Sequence, residues 1–369
     1  MSDRPGSGDG ADVRPSPMAG VAAAGLTCPV PAGQSDRILL GHGSGGKLSA
    51  ALLRDRFLPR FGNDVLEQLG DASIVAVSGD EIAVSTDSFV VSPLEFPGGN
   101  IGHLAVHGTV NDLAMAGAEP QYLSVGFILE EGLSLDLLDR VLAAMESAAR
   151  DAGVIVVTGD TKVVERGKAD GMFINTTGIG RVDPSFRPDP TRALNGDVVL
   201  VSGPIGSHGV AIMAAREDLR FEVEVKSDTA CLAPLVSALR DACAPAVHSL
   251  RDPTRGGVAS ALNEMASSSG VGITLDQASL PIPGPVDAAC EMLGLDPLYV
   301  ANEGILVAIV APAAAEQALT ALRSHPLGRH AARIGTVNAD RPGLVTVRTL
   351  LGSNRVVDML PGDQLPRIC

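Results

Sequence analysis

The chain has few of the residues on which several protein classes depend. Among its 369 residues there is no Trp, and aromatic residues make up only 3%. Apolar residues nevertheless make up 45%, so the cores must be built from Ala, Val, Leu and Ile. Positive charge is also scarce, because 28 Lys and Arg stand against 43 Asp and Glu, a net charge of −15. This balance argues against a nucleic-acid-binding surface, which needs basic residues.

Cysteines are few and lie far apart in the sequence. The five are Cys28, Cys231, Cys243, Cys290 and Cys369. They form no CxxC pair, which argues against a disulfide framework and against a zinc site, and favours a reducing cytoplasm. No apolar run of about 18 residues is present, so we predict no membrane span. The Gly-, Pro- and Ala-rich start lacks the basic residues of a secretory signal, and we expect residues 1–36 to be a disordered extension.

The length is sufficient for two domains with cores of their own. Alternating short strands and helices predict an α/β fold in each half. Three prolines between residues 181 and 191 indicate a hinge. We therefore expect an N-terminal domain over 37–186, a C-terminal domain over 187–350 and a mobile tail over 351–369.

Local signals predict several of the elements. We expect a helix over about 101–116 that Asn100 caps and a helix over 135–152 that stops at Gly153. We also expect a buried strand over 154–158 and a helix over 229–243.

A glycine-rich segment precedes the first predicted helix. Gly41, Gly46 and Lys47 almost form a P-loop, but Leu48 replaces the hydroxyl that would hold magnesium. Two interpretations remain open, a plain flexible turn or a lid whose backbone N–H groups approach phosphates. The second makes Gly45, Gly46 and Lys47 candidate nucleotide contacts.

Five aspartates recur beside Gly, Asn or Thr at the predicted ends of elements. They are Asp71 in LGDAS, Asp87 in STDSF, Asp112 in VNDLA, Asp160 in TGDTK and Asp252 in RDPTRGG. A single aspartate at a turn is usually a cap. Their recurrence predicts hard oxygen ligands that join Mg²⁺ to the phosphates of ATP.

These motifs resemble those of a known family. STDSFVV, NDLAMAGAEP, TGDTKVV, RDPTRGG, ANEG and the terminal PRIC are similar to the HypE family of hydrogenase maturation factors, the carbamoyl dehydratases. That family lies within the PurM-like (aminoimidazole ribonucleotide synthetase) superfamily. The resemblance covers about residues 38–369, and only PRIC distinguishes HypE from the rest of the superfamily.

The resemblance implies a PurM-like fold whose N-terminal mixed sheet binds ATP and forms a homodimer. It also implies that a carbamoyltransferase, HypF, places a carbamoyl group on Cys369, and that ATP and Mg²⁺ convert it to a thiocyanate. The cyanide then passes to a HypC–HypD complex for the iron of a nickel-iron hydrogenase. The chemistry is consistent, because oxide is a poor leaving group and the carbamoyl oxygen must be phosphorylated before it leaves.

Site residues follow from the same resemblance. It implies that Asp71, Asp87, Asp112, Asp160 and Asp252 are metal and nucleotide positions, joined by Asn111, Gly159 and Thr161. Lys162 is expected to serve the phosphoryl group or, if desolvated, to act as a base. Glu303 is the candidate proton acceptor, with a structural pair to an arginine as the alternative. His107 is expected to be a satisfied helix histidine.

The terminal thiol is predicted to be a poor nucleophile. The carboxylate beside Cys369 disfavours the thiolate, and Arg367 offsets this only in part. We therefore expect carbamoylation to be catalysed inside the partner's site.

Two other functions stay open at this stage. A small-molecule kinase or synthetase of the same superfamily would keep its activity without Cys369. A nucleotide-gated carrier that presents a thiol would not be an enzyme, and the lack of a His/Cys cluster near Cys369 weighs against it.

Overall fold

The computed structural model describes residues 46–61, 63–77, 80–219, 223–360, 365 and 367–369. The predicted disordered extension over 1–36, and Gly45, lie outside these ranges. Among the helices within them, none combines the length and the apolar character needed to cross a membrane.

Helices and strands alternate along the chain. The helices are α1 (Lys47–Leu52), α2 (Leu58–Phe61), α3 (Ile101–Met115), α4 (Leu135–Ala152), α5 (Ser207–Arg216), α6 (Ala233–Cys243), α7 (Gly257–Ser269), α8 (Gly284–Leu293) and α9 (Ala315–Ser324). The strands are β1 (Ser73–Val77), β2 (Asp80–Phe89), β3 (Glu95–Phe96), β4 (Gly99–Asn100), β5 (Ala118–Glu130), β6 (Ile155–Val164), β7 (Met172–Val182), β8 (Val198–Val201), β9 (Val247–Arg251), β10 (Gly272–Asp276), β11 (Val307–Val310), β12 (Ala332–Asn338), β13 (Val345–Arg348) and β14 (Asn354–Val357). A π-helical segment, Leu53–Phe57, joins α1 to α2.

The first half forms a five-stranded mixed sheet in the order β1-β2-β7-β5-β6. Strands β5 and β6 are parallel, and the other neighbours are antiparallel. Helices α3 and α4 pack on this sheet and bury a core that includes Phe89, Leu104 and Val141. The expected mixed N-terminal sheet is therefore confirmed.

Local signals fix both helices. Asn100 caps α3, because its side chain accepts hydrogen bonds from the N–H groups of Gly102 and His103. Helix α4 ends at Gly153, whose φ of 70° lies in the left-handed region that glycine adopts without strain. Both signals were predicted from the sequence.

The second half forms a seven-stranded sheet in the order β14-β13-β10-β12-β8-β11-β9. Strand β8 is buried on both faces. Val198 and Leu200 pack in one core with α6 and α9, whereas Val199 and Val201 pack in another with α7. The sheet is thus sandwiched between two helical layers.

Strand β6 departs from its prediction. The apolar run from 154 to 158 predicted a buried strand that ends before Gly159. Strand β6 instead extends to Val164 and is exposed along almost its whole length. Because it is the last strand of its sheet, β5 covers it on one side only. An apolar run indicates a strand but does not show what covers it.

Other differences concern where elements begin. Helix α6 starts at Ala233 instead of Thr229, because residues 229–232 precede the helix and form hydrogen bonds with α3. Strand β14 lies within the predicted tail and pairs with β13. Helix α5 and the strands β9, β10 and β13 were not predicted.

Candidate active site

An acidic cavity of about 350 Å³ opens between the two halves of the chain. Four of the five predicted aspartates line it, Asp71 from before β1, Asp87 from β2, Asp112 from α3 and Asp252 from after β9. Arg251, Arg255, Glu264, Glu303 and Cys369 also line it. The cavity therefore gathers most of the predicted chemistry from segments far apart in the sequence.

A tight turn brings Asp252 and Arg255 to the cavity. Strand β9 ends at Arg251, and Gly256 and Gly257 follow with φ of 74° and 61°. A Cβ on Gly257 would lie 2.5 Å from the carbonyl oxygen of Leu298, so only glycine fits there. The two glycines of RDPTRGG thus turn the chain directly into α7, which begins at Gly257.

Three of the four aspartates have polar partners. Asp71 lies 3.2 Å from Arg251, whose guanidinium also contacts Glu264 at 2.6 Å. Asp87 lies 3.4 Å from Arg255. Ser85 donates a hydrogen bond of 2.6 Å to Asp112.

The carboxylates repel one another. Burial, and then the charge of Asp71, raise the pKa of Asp252 to about 8. Burial, and then the charge of Asp252, hold the pKa of Asp112 well above its ordinary value. Like charges in a poorly solvated cavity raise each other's pKa, and a bound cation would relieve this repulsion.

The cavity fits Mg²⁺ that arrives with a phosphate ligand. Carboxylate oxygens are the donors that Mg²⁺ prefers, and Mg²⁺ is commonly held by one or two carboxylates together with substrate phosphates. Within the described ranges, no three Asp, Glu, His or Cys side chains stand together as a preformed metal cage. The donor chemistry therefore matches magnesium bound with ATP better than a resident metal ion.

The end of the chain lies in this cavity. The N–H of Val90 donates to a terminal carboxylate oxygen of Cys369 (3.0 Å), and the N–H of Ser92 donates to the carbonyl of Arg367 (3.2 Å). The side chains of Leu365 and Ile368 are buried in a core to which both halves of the chain contribute. The structure thus shows the tail docked, with Cys369 among the acidic groups.

Cys369 and Glu303 perturb each other. Desolvation, and then the charge of Glu303, hold the pKa of the Cys369 thiol well above its ordinary value. Burial, and then the charge of Asp252, hold the pKa of Glu303 well above its ordinary value. Glu303 is 3% exposed, and its Oε1 has no hydrogen-bond partner among the described residues. A buried carboxyl group thus lies beside the Cys369 thiol, with one oxygen that has no partner among the described residues.

The pKa of the Cys369 thiol is raised, but the main cause differs from the predicted one, the neighbouring carboxylate. Burial and Glu303 dominate. Arg367 forms an ion pair of 2.6 Å with Asp170 instead of supporting the thiolate. The nearby cation is Arg255, whose pKa is raised first by the charge at Cys369.

Four predicted residues lie elsewhere. All four, Gly159, Asp160, Thr161 and Lys162, stand on the exposed strand β6. The first three line, with Val156 and Val157, a separate surface depression. Lys162 contacts Asp160 at 2.8 Å, and both side chains are about 70% exposed. A single chain therefore does not bring Asp160 or Lys162 into the acidic cavity, and Lys162 is not desolvated as a base would require.

The glycine-rich segment is described from Gly46 onwards. Gly46 is the residue before α1. Lys47 forms an ion pair with Asp358, and its N–H donates to the carbonyl of Leu360. Neither lines the acidic cavity, whereas Ser49 does.

The side-chain amide of Asn111 forms hydrogen bonds with backbone groups. Its amide donates to the carbonyl of Ala230 (3.0 Å) and accepts from the N–H of Leu232 (2.7 Å). These bonds tie the segment before α6 to α3 and leave the amide occupied. His107, on the same helix, bonds to Thr229 at 3.1 Å, as expected of a satisfied helix histidine.

Sequence reasoning missed several residues of the site. Arg255 and Arg251 lie within the quoted RDPTRGG motif, so the motif itself could have indicated them. Asp228 is different, because no motif contains it. Its carboxylate accepts hydrogen bonds from the N–H groups of Glu303 (3.1 Å) and Gly304 (3.2 Å) and so fixes the backbone that carries Glu303.

Comparisons with known proteins agree with the fold. Residues 69–182 match the N-terminal domain of AIR synthase related proteins, and residues 195–348 match the C-terminal domain. The chain is 55% identical to the carbamoyl dehydratase HypE of Cupriavidus necator, over 91% of this chain and 96% of that protein.

Solved structures give the same result. A crystal structure of HypE in complex with ATP superposes with a TM-score of 0.76 at 50% identity, covering 90% of this chain and all of that one. A crystal structure of a HypE–HypF complex superposes with a TM-score of 0.80 at 45% identity, covering 84% of this chain and all of that one. The chain belongs to the HypE family of carbamoyl dehydratases, among the AIR synthase related proteins.

Proposed function

We propose that the chain uses ATP to dehydrate a carbamoyl group carried on its own Cys369, leaving a thiocyanate. The observation that carries this proposal is the docked C-terminus, which places the sulfur in an acidic cavity beside Glu303. Relatives at this level of identity are named carbamoyl dehydratases.

The reaction balances in two steps. The carbamoyl oxygen attacks the γ-phosphorus of ATP, ADP leaves, and one proton is lost from the nitrogen. The resulting S–C(=NH)–O–phosphate then breaks its C–O bond, and the remaining N–H proton leaves with the phosphate. The products are S–C≡N, ADP and inorganic phosphate.

Glu303 is the proposed base for the first proton. It is buried, and one of its carboxylate oxygens has no hydrogen-bond partner among the described residues. Burial raises its pKa, which makes the carboxylate a stronger base. Asp228 holds the backbone N–H groups of Glu303 and Gly304 and therefore positions this base.

Arg255 and the acidic groups are proposed to handle the phosphates. Arg255 supplies positive charge at Cys369, where negative charge develops on the transferred phosphoryl group. Asp71, Asp87, Asp112 and Asp252 would hold Mg²⁺ bound to ATP. That ion would neutralise phosphate charge.

We also propose that two copies of the chain pair through the exposed face of the first sheet. Ile155, Val156, Val157 and Val163 are 47–68% exposed on β6, an unusual number of apolar side chains for a solvent-facing strand. Asp160 and Lys162 lie on the same strand, so a second copy is the route by which they would join a site.

The carbamoyl group would come from a separate enzyme. In the docked state the thiol is desolvated and its pKa is raised, so it is a weak nucleophile. The C-terminus would therefore leave the cavity and be modified in HypF, the partner seen with a relative.

The test is the mass of the peptide that contains Cys369, followed through carbamoylation and dehydration. After incubation with HypF, carbamoyl phosphate and ATP, followed by fresh ATP and Mg²⁺, we expect a carbamoyl group to appear and then to lose one water. Both changes must map to Cys369. A residue that stays unmodified beside an active HypF would contradict the proposal.

A Cys369→Ser variant is the matched control. Its side chain keeps the shape of the tail but lacks the sulfur. We expect ATP binding to survive and thiocyanate formation to be lost. A small-molecule kinase of the same superfamily would instead keep full turnover in this variant.

A further inference from the structure

His208 occupies a fully buried position where the tail meets α5. Its Nε2 lies 2.7 Å from the carbonyl oxygen of Ile368, the residue before the reactive cysteine. Its Nδ1 lies 2.8 Å from the hydroxyl of Ser227. Neither contact belongs to the acidic cavity, and none of the sequence motifs includes His208.

The hydrogen bonds fix the tautomer of this imidazole. A carbonyl oxygen only accepts, so Nε2 must carry the hydrogen. Burial lowers the pKa of His208 to about 4, so the ring is neutral and Nδ1 is an acceptor. The N–H of Thr229 donates to Ser227 Oγ at 3.1 Å, which leaves the Ser227 hydroxyl hydrogen for Nδ1. A directed chain thus runs from Thr229 through Ser227 and His208 to the tail.

Other contacts of the tail frame this bond. Arg216 donates to the carbonyl of Arg367 at 2.7 Å and to the carbonyl of Ser92 at 2.8 Å. The side chain of Phe96 packs edge-on against the His208 ring, with centroids 5.6 Å apart. Ser227 and Phe96 thus hold the imidazole by contacts outside the tail, and its N–H points at the carbonyl of Ile368.

We propose that His208 is a positioning residue that holds Cys369 in the cavity, and that its hydrogen bond to Ile368 sets the balance between dehydration and release of the tail. This inference rests on the proposed function for its catalytic consequence, but the docking itself does not. Loss of the bond leaves the buried Ile368 carbonyl without this donor and favours the undocked tail.

The experiment compares His208→Leu with His208→Gln in the full-length protein. Leucine fills similar space without a donor, whereas the glutamine Nε2 is the same number of bonds from the backbone as the histidine Nε2. Exposure of Cys369 is measured as the rate of alkylation by iodoacetamide, on the Asp-N peptide that spans residues 363–369. Dehydration is measured as single-turnover loss of water from the carbamoylated protein with ATP.

We expect His208→Leu to alkylate about tenfold faster and to dehydrate about tenfold slower, the effect of one buried hydrogen bond. The KM for ATP should not change, because His208 does not line the cavity. His208→Gln should lie close to the wild type. His248→Asn is the matched control, because His248 forms a hydrogen bond of 2.7 Å with the buried Asp197 and does not contact the tail. This variant should change neither rate.

Equal alkylation rates in His208→Leu and the wild type would overturn the inference. If His208→Leu does not fold, Ser227→Ala tests the same chain, and we expect roughly threefold faster alkylation; an unchanged rate there would overturn it too. If wild-type carbamoylated protein does not lose water with ATP, the proposed function fails, but the alkylation rates still decide the role of His208.

Discussion

The acidic cavity and strand β6 carry the same sequence signal in opposite surroundings. Asp252 and Asp160 both stand beside glycine- or threonine-rich turns in the sequence, and both resemble nucleotide positions. Asp252 is 7% exposed among other carboxylates, and its pKa is raised to about 8. Asp160 lies on an open strand, and its hydrogen bond with Lys162 lowers its pKa.

This contrast shows what a motif can and cannot specify. A motif selects the residue type and the local turn, whereas burial and charge depend on what the rest of the fold places around it. The acidic cavity is lined by residues from both halves of one chain. The β6 face differs, because its apolar side chains are exposed in the part of the chain that the structure describes.

The largest effect should come from Glu303, the base assigned to the cavity. Glu303→Gln keeps the shape but cannot take up a proton, and removal of a general base costs about 10²- to 10⁴-fold. We expect single-turnover dehydration to fall by that factor while carbamoylation by HypF is unchanged. Glu316→Gln on the exposed face of α9 is the control. A wild-type rate in Glu303→Gln would remove this residue from the mechanism.

The next effect separates the two regions directly. Asp252→Asn should weaken Mg²⁺-dependent ATP binding by at least about tenfold, because a carboxylate of the ion's site is lost. Asp160→Asn should have a smaller effect in conditions where the chain is monomeric. Calorimetric titration with ATP, with and without Mg²⁺, measures both. Equal losses of ATP affinity in the two monomeric variants would show that Asp252 in the cavity and Asp160 on the strand contribute alike to ATP binding.

Disruption of the β6 face should weaken pairing of two copies. Val156→Ser together with Val157→Ser removes apolar area that a second copy would bury, and each change should weaken the dimer by about tenfold. Light scattering over a dilution series gives the dissociation constant. Val356→Ser on β14, 50% exposed in the wild type, serves as the control and should change nothing. If the double variant dimerises as the wild type does, the pairing face lies elsewhere.

The last prediction concerns stability against pH without ligands. The folded pKa of Asp252, about 8, exceeds its ordinary value of 3.8. Its contribution is therefore complete below about pH 4 and is lost as the pH rises towards 8, by at most about 1.4 kcal/mol per pH unit. The contribution of Asp160 to stability has the opposite sign. Because its pKa is lowered, Asp160 stabilises the fold at high pH, and this stabilisation is lost on acidification.

Thermal unfolding at several pH values tests these signs. Asp252→Asn should flatten the loss of stability on the alkaline side, and Asp160→Asn should leave that side unchanged. An unchanged alkaline loss in Asp252→Asn would mean that this carboxyl group is not protonated in the folded, ligand-free protein.

Local signals in the sequence were sufficient for much of the fold. The cap at Asn100, the stop at Gly153 and the RDPTRGG turn each depend on a few neighbouring residues, and all three form as their chemistry requires. The mixed first sheet and the family resemblance were also confirmed. Strand β9 was missed, although it carries Arg251 into the cavity.

Long-range contacts explain the features of the site that could not be predicted from the sequence. Asn111 stands in a motif that resembles a nucleotide position, yet it bonds to backbone more than a hundred residues away. Asp228 contacts Glu303, and His208 contacts Ile368. No spacing in the sequence indicates either contact. The docked position of Cys369 depends on Val90, Ser92 and Arg216 and could not be inferred from PRIC alone.

The fate of the carbamoyl oxygen tests the central claim most directly. Protein carrying ¹⁸O in the carbamoyl group on Cys369 is given unlabelled ATP and Mg²⁺, and the released phosphate is analysed by mass spectrometry. Transfer of the phosphoryl group to that oxygen predicts one ¹⁸O in each phosphate formed per thiocyanate. Unlabelled phosphate, with the label in water, would contradict it.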